Sequence, residues 1–264
     1  MPEFACDGPI SVNITLASGS CEVVAEDRAN AVVTVTPHKN NSKSKEAAEK
    51  TSVDFRDNKL TVRAPDMTSW LLGGNAAIDV VVKVPVGSNV TTKSASASIN
   101  YQGQLEVVSA TTASGSITVE KATEASVNTA SGDAHVIECV GAARGNTVSG
   151  DLQLDHVGGD VNAKSVSGDV RIGYAGGSLQ GNSVSGDINV NSISTGHCRV
   201  KSVSGAVSIG IAPGTGVWMD VTSVSGNTSS DLAVGDMPAA AAANLELHVN
   251  TISGNIDLFR AQPV

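Results

Sequence analysis

The phrase Val-Ser-Gly-Asp occurs three times between Val148 and Asp187, and its glycines, Gly150, Gly168 and Gly186, lie 18 residues apart. A fixed interval of that size means one local structure recurring along the chain, which is the signature of a solenoid. The same glycine position extends outward to Gly115 and Gly132 before the trio and to Gly205, Gly226 and Gly254 after it, with Ala97 in the earliest copy. The steps run 18, 17, 18, 18, 18, 19, 21 and 28, so the last leaves room for an insertion of about ten residues.

Aligned on that position, every copy has the same grain. Two and four residues after the glycine come Leu152 and Leu154, Val170 and Ile172, Ile188 and Val190; seven and five before it come Val161 and Ala163, or Cys198 and Val200. This alternation predicts two short strands per copy, each with one apolar face, joined at a Ser-Gly corner. One copy alone cannot bury that face, whereas stacked copies share a core and pair backbone groups with the copies above and below. The chain is therefore expected to be all-β, a parallel β-helix solenoid of about nine coils with an N-terminal β-rich cap. Parallel crossovers favour the right-handed form, although 18 residues also suit a three-sided left-handed coil of hexads. The cap spans residues 1–84 and the repeats residues 85–264.

Within the cap, Ile10–Thr36 alternates around Ser18-Gly19 in the register of a coil and reads as a degenerate extra coil or a flanking sheet. Ser42–Lys50 predicts a short helix, Thr51–Phe55 and Lys59–Ala64 a hairpin about Asp57-Asn58, and Ile78–Val84 an apolar strand. Met67–Asn75, carrying Trp70, Leu71 and Leu72, reads as a loop, and Ala239–Ala243 after Pro238 as either a lid helix or a protruding loop. A cap has a physical reason: the end of a β-helix presents unpaired strand edges and an open apolar core.

With 17 basic against 26 acidic residues the net charge is -9 and no basic cluster is present, which argues against nucleic acid and anionic lipid as partners. No apolar run reaches membrane-spanning length. Met1–Pro9 shows no signal-peptide pattern, so the expected location is cytoplasmic, with peripheral envelope association the variant. Cys6, Cys21, Cys139 and Cys198, at spacings of 15, 118 and 59, fit no zinc or redox motif. They read as reduced, buried thiols, with a Cys6–Cys21 disulfide as the alternative.

Several segments together carry a resemblance: Met1-Pro2-Glu3-Phe4, Ile10-Ser11-Val12-Asn13-Ile14, Asp27-Arg28, Lys59–Pro65, Val84–Ser88 and the Ser-Gly-Asp coils. The chain is similar over nearly its full length to the bacterial "putative adhesin" β-strand-repeat family (domain of unknown function 4097), in its actinobacterial form without a signal peptide. The resemblance implies a β-helical fold, no established enzymatic activity and a place near envelope biology or stress response.

Three features could carry chemistry. Asp133, Asp151, Asp169 and Asp187 follow the glycine in successive coils. Stacked about 5 Å apart, such carboxylates repel by roughly 0.8 kcal/mol even in bulk water. Local backbone N–H groups would offset that; a row of Ca²⁺ sites is the sharper alternative. The second feature is the hydroxyl pair three and one residues before the glycine, as in Thr147/Ser149, Ser165/Ser167 and Ser183/Ser185. Parity points both inward; a parity break at the corner would instead expose a two-hydroxyl lattice of the kind β-helical ice-binding proteins carry. Together Ser131, Ser149, Ser167 and Ser185 with Gly132, Gly150, Gly168 and Gly186 form the expected structural ladder. The third is the histidines (His38, His135, His156, His197 and His248), which share no coil position and read as surface residues.

No catalytic motif is present, and no cofactor is implied. The chain reads as a non-catalytic β-helical scaffold, adhesin-like or self-associating, with a protein partner or its own copies as ligand. The competing reading is a Ca²⁺-dependent β-helix that binds or cleaves acidic polysaccharide along the aspartate row. Only Lys164 and Arg171 flank that row in the central coil, and aromatic residues are 3% of the chain, so platforms for sugar are scarce.

Overall fold

In the computed structural model, which describes residues 2–65, 76–232 and 244–262, the inward positions of the repeat are buried as the alternation requires. Leu152, Leu154, Val170, Ile172, Ile188 and Val190 are at most 1% exposed. Each such side chain contributes about 1.5–3 kcal/mol when fully buried. The chain forms two compact units, Met1–Asp133 and Ala134–Val264.

The N-terminal unit contains β1 (Glu3–Ala5), β2 (Ser11–Leu16), β3 (Gly19–Glu26), β4 (Asn30–Pro37), helix α1 (Ser42–Lys50), β5 (Ser52–Arg56), β6 (Lys59–Arg63), β7 (Ile78–Pro85), β8 (Asn89–Ser94), β9 (Ser98–Thr112) and β10 (Ile117–Thr129). Of the two readings of Ile10–Thr36, the extra coil describes its first half. β2 pairs in parallel with both β6 and β8, and β3 with both β7 and β9, around the Ser18-Gly19 corner. Asn30–Pro37 instead becomes an antiparallel neighbour of β7, with β1 antiparallel on its other edge.

The predicted helix forms where expected. Asn41 caps it by accepting from the Ser44 backbone N–H at 2.7 Å, which satisfies one of the free amides of the first turn. The buried Ser44 hydroxyl in turn accepts from the Ala77 N–H at 3.2 Å, tying α1 to the segment that enters β7. β5 and β6 form the expected antiparallel hairpin. Its two-residue turn places Asp57 and Asn58 at φ of 50° and 59°, the left-handed region that Asp and Asn tolerate. The predicted Met67–Asn75 loop lies outside the described residues, as does Ala239–Ala243.

The C-terminal unit contains β11 (Ala134–Cys139), β12 (Ala143–Asn146), β13 (Leu152–Val157), β14 (Val161–Lys164), β15 (Val170–Ala175), β16 (Leu179–Ser183), β17 (Ile188–Ile193), β18 (Gly196–Ser202), β19 (Val207–Ile211), β20 (Val217–Ser223), β21 (Thr228–Ser230), β22 (Leu245–Thr251) and β23 (Ile256–Arg260). Every ladder in it is parallel, and residues pair with their repeat equivalents, as in Leu152↔Val170 and Val170↔Ile188, except where β17 and β19 shift register to pair Ile193 with Ile211.

Layer order departs from chain order near both termini. β22 and β23, last in the chain, pair with β18 and β19 on one side and with β20 and β21 on the other. The first coil, β2 and β3, is likewise held between two others. Both of these coils thus have ladders on two sides, which satisfies the backbone groups of both strand edges. Among the described residues the outermost coil of the C-terminal unit, β20 and β21, is polar on one strand: Thr228 and Ser230 stand where the column below has Ile256 and Leu258. Its other strand leaves Met219 37% exposed, so the apolar pattern at that position does not make it core.

Candidate functional site

The Ser-Gly corner is closed by its inner hydroxyl. In the central coils Thr147, Ser165 and Ser183 each accept from the backbone N–H of the glycine three residues on and donate to that glycine's carbonyl. The respective distances are 3.1 and 2.8 Å, 3.0 and 2.5 Å, and 2.9 and 2.7 Å. A buried hydroxyl thus satisfies two backbone groups that the turn would otherwise strand. Thr112 and Thr129 receive the same N–H bond in the N-terminal unit.

The glycine itself is required by close stacking. A Cβ on Gly168 would lie 1.9 Å from the Gly150 carbonyl oxygen, and one on Gly186 would lie 2.0 Å from that of Gly168. The glycines therefore form the lengthwise file that the repeat predicts.

The outer hydroxyls differ from expectation. Ser131, Ser149, Ser167 and Ser185 are exposed while Thr147, Ser165 and Ser183 are buried, because the chain turns at the corner and strand parity fails there. The outward neighbour of Ser149, Ser167 and Ser185 is a valine and that of Ser131 an alanine, so a two-hydroxyl lattice does not form. Val148, Val166, Val184, Val203, Ile252 and Val224, in stacking order, are 47, 41, 43, 44, 56 and 77% exposed. The backbone ladder runs on beneath them: the N–H groups of Ser167, Ser185 and Ser204 donate to the carbonyls of Val148, Val166 and Val184 at 2.8 Å each. The result is an apolar ridge with one β-branched side chain per rung.

Along one flank of the ridge lies the aspartate file. The Asp169 N–H donates to Asp151 Oδ1 at 3.0 Å, the Asp187 N–H to Asp169 Oδ1 at 3.1 Å, and the Ala206 N–H to Asp187 Oδ1 at 2.8 Å. Each carboxylate is held by the backbone of the next coil. Arg171 adds a bridge, 3.0 Å from Asp151 Oδ2 and 2.8 Å from Asp169 Oδ2. The backbone N–H of Asp169, and then Arg171, hold the Asp151 carboxyl below its usual range. These donors supply the offset to carboxylate repulsion. Asp133 belongs to the N-terminal unit, where its carbonyl accepts from the Ile117 N–H at 2.8 Å.

The chain matches one family profile, described as Toastrack DUF4097, over residues 11–259. The chain belongs to the Toastrack family. Among solved structures, a "putative lipid binding protein" from Parabacteroides distasonis is similar with a TM-score of 0.48 at 14% identity, over 97% of this chain and 95% of that one. A "putative adhesin" from Bacteroides fragilis has a TM-score of 0.44 at 9% identity, over 97% and 95% of the two chains. A "putative cell adhesion protein" from Clostridium sporogenes has 0.28 at 10%, over 98% of each. No curated protein matches the chain.

In this Toastrack chain all four cysteines are buried thiols outside any disulfide, so the Cys6–Cys21 bond is not formed. Burial pushes the thiols of Cys21 and Cys198 up to about 12. The histidines are less scattered than their repeat positions suggest. Because β22 lies against β18, His197 Nδ1 and His248 Nε2 meet on the carboxylate of Glu246, at 2.8 and 2.9 Å. Among the described residues no group of three or more His, Cys, Asp or Glu is set to hold a metal ion. His38 and His135 pair with Asp79 and Asp155, and His156 stacks on Tyr174. The outward residues six before the glycine escaped notice in the repeat because their chemistry varies while their position does not: Arg144, Asn162, Gln180, Arg199, Asp220 and His248.

Proposed function

We propose that this Toastrack protein is a non-catalytic interaction scaffold that associates with its own copies through the valine–serine ridge of the C-terminal unit. The observation that supports this reading is the unbroken file from Val148 to Val224, since monomeric proteins seldom expose a contiguous apolar patch beyond a few hundred Å². The inner hydroxyl is engaged with the glycine and the aspartate with the next coil, so the ridge offers its valines, with the exposed Ser149, Ser167 and Ser185 beside them.

Charge favours a second copy as the occupant. The ridge is flanked on one side by Asp151, Asp169 and Asp187 and on the other by Lys164 and Lys201, exposed at the ends of β14 and β18. Two ridges laid face to face about a two-fold axis parallel to the stack bring the aspartate file of each copy against the lysine file of the other. A two-fold across the stack sets aspartate on aspartate, so the parallel arrangement is selected.

Sedimentation velocity over a concentration series tests this. The chain is expected to dimerise, and Val166→Ser with Val184→Ser to return it to monomer with its thermal midpoint kept. Lys164→Glu with Lys201→Glu is expected to weaken the dimer in low salt and to lose that effect in high salt. A strict monomer at every concentration would remove the proposal.

A further inference from the structure

Six residues before each corner glycine, the sheet running β12, β14, β16, β18, β22, β20 presents one outward side chain per strand. In stacking order these are Arg144, Asn162, Gln180, Arg199, His248 and Asp220. The first five line one groove of about 640 Å³. This surface adjoins the lysine flank of the valine ridge, and its reading requires no second copy of the chain.

The groove's charges are unequally engaged. Its acidic groups are occupied: Asp160 Oδ1 accepts from the Ser178 N–H at 2.8 Å, and Glu246 is held by His197 and His248 at 2.8 and 2.9 Å. Its two arginines are not, since neither Arg144 nor Arg199 has an ion pair or a side-chain hydrogen bond among the described residues. They stand three rungs apart, about 14 Å at ~4.8 Å per rung, with the amides of Asn162 and Gln180 between them. At the far end Trp218, 50% exposed, lies with its ring centroid 5.1 Å from that of His248.

Free guanidinium groups at intervals, planar amides between them and an exposed indole at one end are complementary to a chain of carboxylate-bearing sugar rings. Guanidinium takes carboxylate in a forked pair. Amides exchange donor and acceptor with hydroxyls, and indole covers an apolar ring face. We propose that this groove binds an acidic oligosaccharide of the uronic-acid class, laid across the strands from Arg144 to Trp218. The rung spacing is what suits a polymer: a polar or cationic side chain recurs at each step, with the two arginines three steps apart, where a compact anion would use one arginine and leave the other idle. Lysines 164 and 201 in the adjoining outward row strengthen the positive field on this face of an otherwise acidic chain.

The test is calorimetric titration of the full chain with a short oligogalacturonate. Trp218 fluorescence is followed in a Trp70→Phe background, which leaves Trp218 as the one tryptophan. Saturable binding with a change in Trp218 emission is expected. Arg144→Ala with Arg199→Ala should weaken it at least about tenfold, the loss of charge-assisted hydrogen bonds, with the thermal midpoint unchanged because both residues are exposed. A neutral oligosaccharide of equal length should bind less tightly than the uronate. No binding up to millimolar ligand, equal affinity in the double variant, or equal affinity for inorganic phosphate or polyglutamate would each overturn the proposal, the last two pointing to a simple anion site or a peptide site.

Discussion

The two units use the same corner but finish it differently. In the N-terminal unit the residue before the corner serine is alanine, at Ala95, Ala113 and Ala130, whereas in the C-terminal unit it is valine or isoleucine in every coil. The N-terminal unit also guards its strands with antiparallel partners: β4 lies on β7, β5 on β6, and α1 is fastened beside them. In the C-terminal unit, among the described residues, β20 and β21 have ladders on one side only, with β22 and β23. The difference teaches that the inner half of the corner is architecture and the outer half is surface. Threonine or serine is held by hydrogen bonding in both units, and glycine by stacking in every copy but that of Ala97, while the side chain between them is free to serve as contact.

The glycine position separates those requirements most sharply. Gly168→Val would drive a side chain into the Gly150 carbonyl and is expected to cost about 3 kcal/mol, at the upper end of overpacking. Ala97→Gly, at the one copy that already carries a side chain, should cost no more than about 1 kcal/mol. Urea unfolding measures both, and equal effects would erase the distinction. Next in size is the inner hydroxyl. Thr129→Ala in the N-terminal unit and Ser165→Ala in the C-terminal unit should each cost about 1–3 kcal/mol by leaving buried backbone groups unmet. The exposed Ser167→Ala should stay within about 0.5 kcal/mol. A larger loss from Ser167 than from Ser165 would reverse the inside-outside assignment.

Much of this could be read from the repeat. The glycine file, the inward pairs after it and the buried hydroxyl before it all follow from an 18-residue interval combined with strand alternation. The outward turn of Ser149 did not, because parity is a property of strands and the corner is not one. Layer order was equally hidden: a period states which residues are equivalent, and says nothing about which coil lies next to which. That is why Glu246 reaching His197, and Trp218 reaching His248, could not be foreseen from their spacing. Met219 carried the apolar pattern of a core residue yet sits on the coil that intercalation leaves outermost.

Two pH effects extend the comparison, the alkaline one with a buried thiol in each unit and the acid one in the C-terminal unit. The Cys21 and Cys198 thiols are raised from 9.0 to about 12 by burial, so the folded chain keeps protons that the unfolded chain releases across that interval. Stability is therefore complete below pH 9.0 and falls as the pH climbs toward about 12. Urea midpoints under reductant should show this decline, and Cys21→Val or Cys198→Val should each shallow it. Smallest is the acid side. Asp151 is held below its ordinary 3.8, so its contribution is present above that value and is lost as the pH falls through the lower folded one. With the side chain half exposed the effect is slight. Asp151→Asn should flatten the acid limb, and an unchanged limb would mean that the bond from Asp169 carries no weight.

The tucked-in final coil underlies both the C-terminal surfaces and the contrast between the units, and cysteine pairing tests it directly. Arg199 and His248 are register partners, as are His248 and Asp220. Adjacent strands place such partners about 4.8 Å apart, within disulfide reach, and residues two strands apart lie beyond the roughly 7 Å limit. Arg199→Cys with His248→Cys is expected to oxidise to an intramolecular disulfide, while Arg199→Cys with Asp220→Cys remains reduced under the same conditions. The opposite pattern, a bond between positions 199 and 220 and none between 199 and 248, would show that the coils stack in chain order and would contradict the account.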